Sequence, residues 1–279
     1  MEKSGIVANT GPEALEALVA RARTGDRAAL EAVLAEVAPA VHRFGLRMCK
    51  NSHDADEVLQ DTLLSVASHL KDFEGRSSLS SWTFAIARSA CARRHRGMKN
   101  RPALGDEHLE SAPDGAPSPE TRAADEELAA AIGSALSDLP DDYREIIQLR
   151  DIEELTAPET AHSLGISVDA VKSRLHRARG ALREALRPVL EADAVPRSGC
   201  PDVIDLWSKK LEGDLSQGDC AAMEKHLETC ETCGTACHAL KRALLACQTS
   251  RRAPVPPEVQ SRVKAAIREF SRDANPSRT

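Results

Sequence analysis

The segment 159–179 constrains the fold more than any other part of the chain, because its residue types suit two short helices joined by a tight turn. Ala161 is small where the two helices would cross, and Gly165 stands where such a turn needs a positive φ. Ser167 is suited to cap the second helix. That helix has an apolar stripe at spacings of four and three, formed by Val171, Leu175 and Ala178. The pattern predicts a helix-turn-helix unit.

The second helix is also basic. Its cations are expected to project away from the apolar stripe, and they are Lys172, Arg174, Arg177 and Arg179. A basic helix whose apolar stripe faces its own domain offers its other side to phosphates and base edges. An ordinary solvated basic helix is the alternative, and the turn signature favours DNA recognition.

Composition indicates an all-α protein. Of the 279 residues only 3% are aromatic, while Ala, Leu, Glu and Arg recur at helical spacing. The length is enough for two or three domains. No apolar stretch is long enough to span a membrane, and the first residues lack the apolar core of a signal peptide. These observations predict a cytosolic protein that does not insert into membranes.

Charge is sorted along the chain, although the net charge is −6. Residues 88–101 are basic without an acid, and 105–127 are strongly acidic. The proline- and glycine-containing stretch 105–120 predicts a flexible linker. A second break at 191–199 precedes a segment that holds most of the cysteines. The sequence therefore divides into three functional parts.

The first part contains a helix predicted over 54–70, with a buried stripe formed by Leu59, Leu63, Val66 and Leu70. A second face of that helix is acidic with one apolar residue, and its members are Glu57, Gln60, Asp61 and Leu64. Such a face suits docking onto a basic partner helix. A solvated face that happens to include a leucine is the alternative.

A hydroxyl-rich loop and a basic helix follow at 75–101. Such a loop can hold an unstacked base, and arginines can track a single-stranded backbone. Trp82 and Phe84 are expected in the core.

Four motifs together resemble bacterial extracytoplasmic-function sigma factors over about 28–190. They are DADEVLQDT at 54–62, GRSSLSSWTFAIAR at 75–88, LPDDYREIIQLR at 139–150 and VKSRLHRAR at 171–179. The resemblance implies two helical domains. The first would dock on the clamp helices of RNA polymerase and open the −10 promoter element, and the second would read the −35 element.

The resemblance also implies site residues. The polymerase-binding helix would use Asp56, Glu57, Gln60, Asp61 and Leu64. The −10 element would be read by Arg88, Ser89, Arg93 and Arg94, with a flipped base held by residues 77–81. The −35 element would be read by Ser167, Asp169, Lys172, Ser173, Arg174 and Arg177. Ser89 and Cys91 depart from the usual residues of the −10 helix, and Pro158 and Thr160 from those of the first helix of the turn unit.

The last part has the spacing of a metal site. His226, Cys230 and Cys233 follow one another at four and three residues, which would place them on one helix face and suits tetrahedral zinc. Cys200, just before a helix predicted over 203–211, is the natural fourth ligand, and Cys220 and Cys237 are alternates. Cysteines packed as small buried apolar residues are the other interpretation.

The sequence at 200–215, followed by the His-Cys-Cys unit, resembles the zinc-binding anti-sigma domain. The sequence at 253–267 is similar to the helix that follows that domain in such proteins. The resemblance implies a domain that is normally a separate chain wedged between the two sigma domains, here fused to its target. It implies one zinc per chain, while the surplus cysteines leave copper or cadmium open.

These expectations amount to a metal-regulated sigma factor that is not an enzyme. Its expected partners are core RNA polymerase, promoter DNA and, within the chain, its own C-terminal domain, which would respond to metal or thiol redox state. Inhibition and activation by that domain both remain open. The alternatives are a helix-turn-helix repressor with a metal-sensing tail and a zinc hydrolase, for which a His-Glu-x-x-His motif is missing. The predicted boundaries are 1–27 (lead-in), 28–99, 100–125 (linker), 126–190 and 198–272.

Overall fold

The computed structural model describes residues 12–49, 51–98, 130–188, 199–249 and 256–273. Every regular element within these ranges is a helix, which confirms the all-α prediction. The helices form a first unit (α1–α4), a second unit (α5–α8) and a C-terminal unit (α9–α12). The linker predicted at 100–125 and most of the break at 191–199 lie outside the described residues.

The first unit is a bundle built around α3. Its elements are α1 (Pro12–Arg23), α2 (Arg27–Cys49), α3 (Ser52–His69), a 3-10 turn (Leu70–Asp72) and α4 (Leu79–Met98). The Asn51 side chain caps α3 by accepting a 2.7 Å hydrogen bond from the Asp54 backbone N–H. All four residues of the predicted α3 stripe are buried. Phe84 lies in the core against Phe44, and the half-buried Trp82 packs on Phe73.

Two thiols join α2 to α4 inside this unit. The Sγ atoms of Cys49 and Cys91 are 3.6 Å apart and both side chains are buried. The hydrogen bond with Cys49, together with burial, raises the pKa of the Cys91 thiol. A protonated, buried thiol is a poor nucleophile, so Cys91 serves packing.

The second unit contains the predicted helix-turn-helix. Its elements are α5 (residues 130–138), α6 (Asp141–Ile147), a π-helical turn (Gln148–Ile152), α7 (Ala157–Leu164) and α8 (Val168–Leu186). Gly165 ends α7 with φ +66°, and the next N–H, that of Ile166, bonds to the Ala161 carbonyl at 3.1 Å. Ser167 caps α8 by accepting from the Ala170 N–H.

Helix α8 buries its predicted stripe completely, since Val171, Leu175 and Ala178 are each 0% exposed. One expectation for this helix is wrong. Arg179 does not project toward solvent but is only 2% exposed. It follows Ala178 on the inward side of the helix, where acidic groups of the π-helical turn and of the C-terminal unit surround it.

The C-terminal unit consists of α9 (Val203–Leu211), α10 (Gln217–Thr229), α11 (Glu231–Thr249) and α12 (Pro257–Asp273). The expectation that His226, Cys230 and Cys233 share one helix is wrong. The backbone at Cys230 is extended (φ −108°, ψ 99°), so α10 ends there and α11 folds back along it. Gly234 permits this close return, because a Cβ at its position would lie 3.0 Å from the Leu227 carbonyl oxygen.

The three units pack against one another in a closed arrangement. Helix α4 of the first unit contacts α7 of the second, while α9 and α11 contact α8. Helix α12 lies on α3 of the first unit. The C-terminal unit therefore contacts both of the units that precede it.

The left-handed turn after α7 can be tested with a pair of glycine substitutions. Gly165→Ala should lower the free energy of unfolding by about 1–2 kcal/mol, because a Cβ disfavours positive φ. Gly180→Ala, in the middle of α8 where a Cβ meets no atom within 4 Å, should raise it by about 1 kcal/mol. Urea unfolding measures both, and equal signs would contradict the assigned turn.

Candidate functional site

Four side chains of the C-terminal unit converge in a cluster with metal-ligand chemistry. They are Cys200, His226, Cys230 and Cys233, and their ligand atoms all lie within 4.8 Å of one another. The Sγ atoms of Cys200 and Cys230 are 3.8 Å apart. Tetrahedral zinc with Zn–S bonds of about 2.3 Å separates its sulfur atoms by roughly 3.8 Å. The donor set and its spacing therefore fit zinc.

The protonation states within the cluster also suit a metal. His226 Nε2 is buried without a hydrogen-bond partner, which an imidazole ligand to a cation would satisfy. Hydrogen bonding from the Cys233 backbone N–H lowers the pKa of Cys230. Burial, with the neighbouring thiols, raises the pKa of Cys233 to about 12. Because thiolates bind metal, metal binding would release protons here.

Local structure explains why Cys200 rather than another cysteine completes the cluster. Asp202 caps α9 and so fixes the short segment that carries Cys200. Cys230 stands at the break between α10 and α11, and His226 and Cys233 flank that break on the two helices. The alternates lie elsewhere: Cys220 contacts Glu224, and Cys237 is buried in the core of the unit.

Helix α12 packs beside Asp56, at one edge of the acidic face of α3. Val259 and Val263 of α12 are buried, and Arg262 forms an ion pair with Asp56. Asp56 also bonds to His42 at 3.2 Å, and burial lowers the pKa of that histidine despite the carboxylate. A shallow pocket at the α3–α12 contact is lined by His53, Asp56, Glu57, Gln60, Val259, Arg262 and Val263.

The remaining residues of this face lie at the edge of the contact. Glu57 and Asp61 both pair with Arg94, the latter at 3.7 Å. Gln60 is exposed and Leu64 is partly buried. The face that sequence reasoning assigned to polymerase is thus shared between α12 and a basic residue of α4.

The predicted −35 residues lie along α8. Lys172 Nζ is 2.7 Å from Asp214 Oδ1 of the C-terminal unit, and Arg174 is 3.7 Å from Asp142 of its own unit. The others are exposed: Ser167, Asp169, Ser173 and Arg177. Part of the outer side of α8 is therefore exposed to solvent, while Lys172 is paired with a carboxylate of the C-terminal unit.

The predicted −10 residues lie on α4. Arg88 donates to Glu145 of the second unit at 2.9 Å, while Ser89 and Arg93 are exposed. Burial raises the pKa of Glu145, and the charge of Arg88 opposes this. Helix α4 therefore has one of its four predicted DNA contacts engaged by the second unit.

The expectation that residues 77–81 form a loop is wrong for the last three of them, while their base-holding role stays a prediction. Leu79, Ser80 and Ser81 belong to helix α4, and Ser81 is buried. The Ser81 hydroxyl donates to the Glu159 carbonyl at 2.8 Å and lies against Ser163 of α7. The physical reasons are that the Ser78 hydroxyl caps the start of α4 by accepting from the Ser81 N–H at 3.2 Å, and that the first turn of α4 packs on α7.

A buried ionic cluster links the second and C-terminal units, and sequence reasoning missed it. Arg179 holds Asp151 through two bonds of 2.5 and 3.1 Å, donates to Ser208 at 2.7 Å and approaches Glu212 at 3.4 Å. Burial opposes the guanidinium charge, but Asp151 and Glu212 outweigh it and raise the pKa of Arg179. Arg150 binds the other oxygen of Glu212 at 2.5 Å. No periodicity marks such a cluster, because its members are distant in sequence.

Three family models match the chain in the order of its units. They are Sigma-70 region 2 at residues 33–101, Sigma-70, region 4 at 129–182, and a family described as "Putative zinc-finger" at 200–234. The four clustered ligands all fall within the last match.

Several named sigma factors match about 60% of this chain. The ECF RNA polymerase sigma factor SigM of Mycobacterium tuberculosis is 32% identical over 61% of this chain and 83% of its own length. SigE of Mycolicibacterium smegmatis is 31% identical over 58% of this chain and 65% of its own. SigW of Bacillus subtilis is 29% identical over 95% of its length. A structure of CnrH in complex with the cytosolic domain of CnrY matches 63% of this chain at 29% identity, with a TM-score of 0.46.

Both sigma-70 regions are therefore present, followed by a zinc-finger-like C-terminal unit. The chain belongs to the ECF RNA polymerase sigma factors. Among the helices that the structure describes, none is both long and apolar enough to cross a membrane.

The metal site yields a direct prediction. Cys233→Ser should abolish zinc binding and loosen the C-terminal unit, because the site joins the start of α9 to the α10–α11 break. Cys220→Ser, outside the cluster, should keep full zinc content. Metal analysis of the purified full-length variants, with about one zinc expected per chain, measures the difference. Loss of zinc in the Cys220 variant alone would show that the ligand set is wrong.

Proposed function

We propose that this protein directs core RNA polymerase to promoters with two sequence elements, and that its C-terminal unit restrains it in cis. One observation carries the proposal. The same C-terminal unit contacts the expected polymerase face through α12 and the expected −35 helix through Asp214. A unit that contacts both surfaces would compete with core polymerase for the first and with promoter DNA for the second. The proposed protein acts by binding these partners and not by catalysis.

The contact on α3 supports competition for polymerase. Helix α12 presents Val259 and Val263 to α3, with Arg262 beside them on Asp56. An apolar contact with a basic residue is the chemistry that the acidic face of α3 suits in a partner helix. Polymerase and α12 would then use the same face, so that binding of one excludes the other.

The contact is intramolecular, which makes even a weak interaction effective. Two parts of one chain meet at an effective concentration that can reach about millimolar. Mutual exclusion on α3 then favours the closed form until something weakens the C-terminal unit. This supports inhibition rather than activation as the sign of control.

The metal cluster is the natural point of control. Cys200, His226, Cys230 and Cys233 would hold zinc, which supplies a closed tetrahedral cross-link and no reaction. The three sulfur ligands also suit softer metals. Cys200 and Cys230 keep part of their surface exposed and are therefore open to oxidation, whereas Cys233 is buried. A signal acts on the closed form only if it binds the open and closed arrangements with different affinity.

Release of α12 is expected to raise polymerase binding. Val263→Asp places a carboxylate in the buried α3–α12 contact, whereas Lys264→Asp places the same residue on the exposed side of α12. The first should raise the affinity of the full-length protein for core polymerase about tenfold, within the usual range of coupling free energies. The second should leave that affinity close to the wild-type value. Binding titrations and run-off transcription measure both.

A substitution on the docking face itself completes the test. Asp61→Arg added to the Val263 variant should weaken polymerase binding with the fold intact, because it reverses a charge at a matched interface. If Val263→Asp raises neither binding nor transcription, α12 is not the inhibitor. If it keeps polymerase binding but abolishes transcription, the C-terminal unit is a required activator instead.

A further inference from the structure

We propose that the turn after α9 carries two carboxylates that stand in for DNA phosphates, and that Arg150 joins Lys172 as a contact for the DNA backbone when the turn leaves. The acidic turn is Glu212, Gly213 and Asp214. The inference rests on the proposed function and states how the C-terminal unit blocks DNA. It also assigns Arg150, outside the helix-turn-helix, to the binding surface.

The acidic turn meets cations of the second unit at both of its carboxylates. Asp214 lies on Lys172 with oxygens 2.5 and 2.7 Å from Nζ. Glu212 lies between Arg150, at 2.5 Å, and Arg179, at 3.4 Å. Two anionic groups therefore engage three cations. DNA offers cations the same kind of partner, because its backbone presents anionic oxygens in succession.

The turn is held in a defined shape by its own backbone. Gly213 has φ +73°, and its N–H bonds to the Lys210 carbonyl at 3.1 Å. The Asp214 N–H bonds to the Lys209 carbonyl at 2.9 Å. These bonds close the end of α9. They direct Glu212 and Asp214, which are separated by one residue, toward the second unit. The acids thus reach the cations without further ordering of the chain.

The two ion pairs differ in burial, which separates their roles. Lys172 and Asp214 keep about a third of their side-chain surface exposed (34% and 38%), so the pair is weak and DNA can displace the carboxylate. Glu212 is only 5% exposed. Its removal leaves Arg150 without this carboxylate. Departure of the turn uncovers the Arg150 guanidinium as well, so that its charge is open to another anion such as a phosphate.

Arg179 has a different part in this surface. It keeps both hydrogen bonds to Asp151 within its own unit, so loss of Glu212 does not free it. It is a positioning residue that orients the π-helical turn carrying Arg150 and Asp151. The phosphate contacts are therefore assigned to Arg150 and Lys172 alone.

The test uses a neutralised variant of the full-length protein that carries Glu212→Gln and Asp214→Asn together. These substitutions remove two negative charges with little change of side-chain shape. The control, Glu228→Gln with Glu258→Gln, removes the same charge at exposed positions of α10 and α12. The probe is random-sequence duplex DNA, titrated by fluorescence anisotropy between about 50 and 200 mM salt. Circular dichroism verifies the fold of each variant.

Two regained phosphate contacts should make the neutralised variant bind DNA more tightly and steepen its salt dependence by about 1.8, since each phosphate contributes about 0.9 to the slope. The control should match the wild type. Lys172→Ala should flatten the slope by about 0.9 in the neutralised background and change it little in the wild type, where Asp214 already occupies that lysine.

A third full-length variant, Cys233→Ser, separates this inference from the proposed function. If Cys233→Ser and the neutralised variant both bind DNA more tightly and with a steeper salt dependence, the acidic turn acts through charge. If only Cys233→Ser gains them, the C-terminal unit covers the second unit by shape and the phosphate-mimic inference is wrong. If neither gains them, restraint of DNA binding in cis is itself wrong.

Discussion

The closed arrangement depends on the charge of one buried side chain, Arg179. Its guanidinium joins α8 to Asp151 of the π-helical turn, to Ser208 of α9 and to Glu212 of the turn that follows α9. A buried cation is costly unless it is fully paired, and here the second unit supplies one carboxylate while the C-terminal unit supplies another. A carboxylate of the C-terminal unit therefore helps to balance a buried positive charge of the second unit. This interaction makes the fused unit part of the packing of the helix-turn-helix rather than an appendage.

The parts of the molecule that sequence reasoning anticipated are those with local physical causes. The bend at Gly165, the cap at Ser167 and the buried stripe of α8 follow from backbone and periodicity rules that involve near neighbours. The cluster of one histidine and three cysteines could be predicted because ligand spacing is a local signal. The single helix expected there is nevertheless broken at Cys230. Spacing alone does not distinguish three ligands on one helix from three at a helical hairpin, because both bring them together.

The contacts between units could not be anticipated, because each joins residues far apart in sequence. Arg179 was expected on the DNA side from its place in a basic run, yet its neighbour Ala178 belongs to the buried stripe and the helix turns Arg179 inward. Ser81 was expected in a loop because its segment is rich in hydroxyls. The Ser78 hydroxyl instead caps the start of α4 by accepting from the Ser81 N–H, and the packing of α4 on α7 buries Ser81. Charge and polarity state what a residue can bind, while packing decides what it meets.

The position of α12 along the chain has a consequence for the order of events during synthesis. Helix α3 lies in the first unit and its cover, α12, lies in the last, with the whole second unit between them. Domains fold as they emerge, at about 5–20 residues per second, so α3 is exposed for roughly ten seconds or longer before α12 is made. Each newly made chain therefore passes through an open stage before it can close, in which the proposed polymerase-binding face of α3 is uncovered.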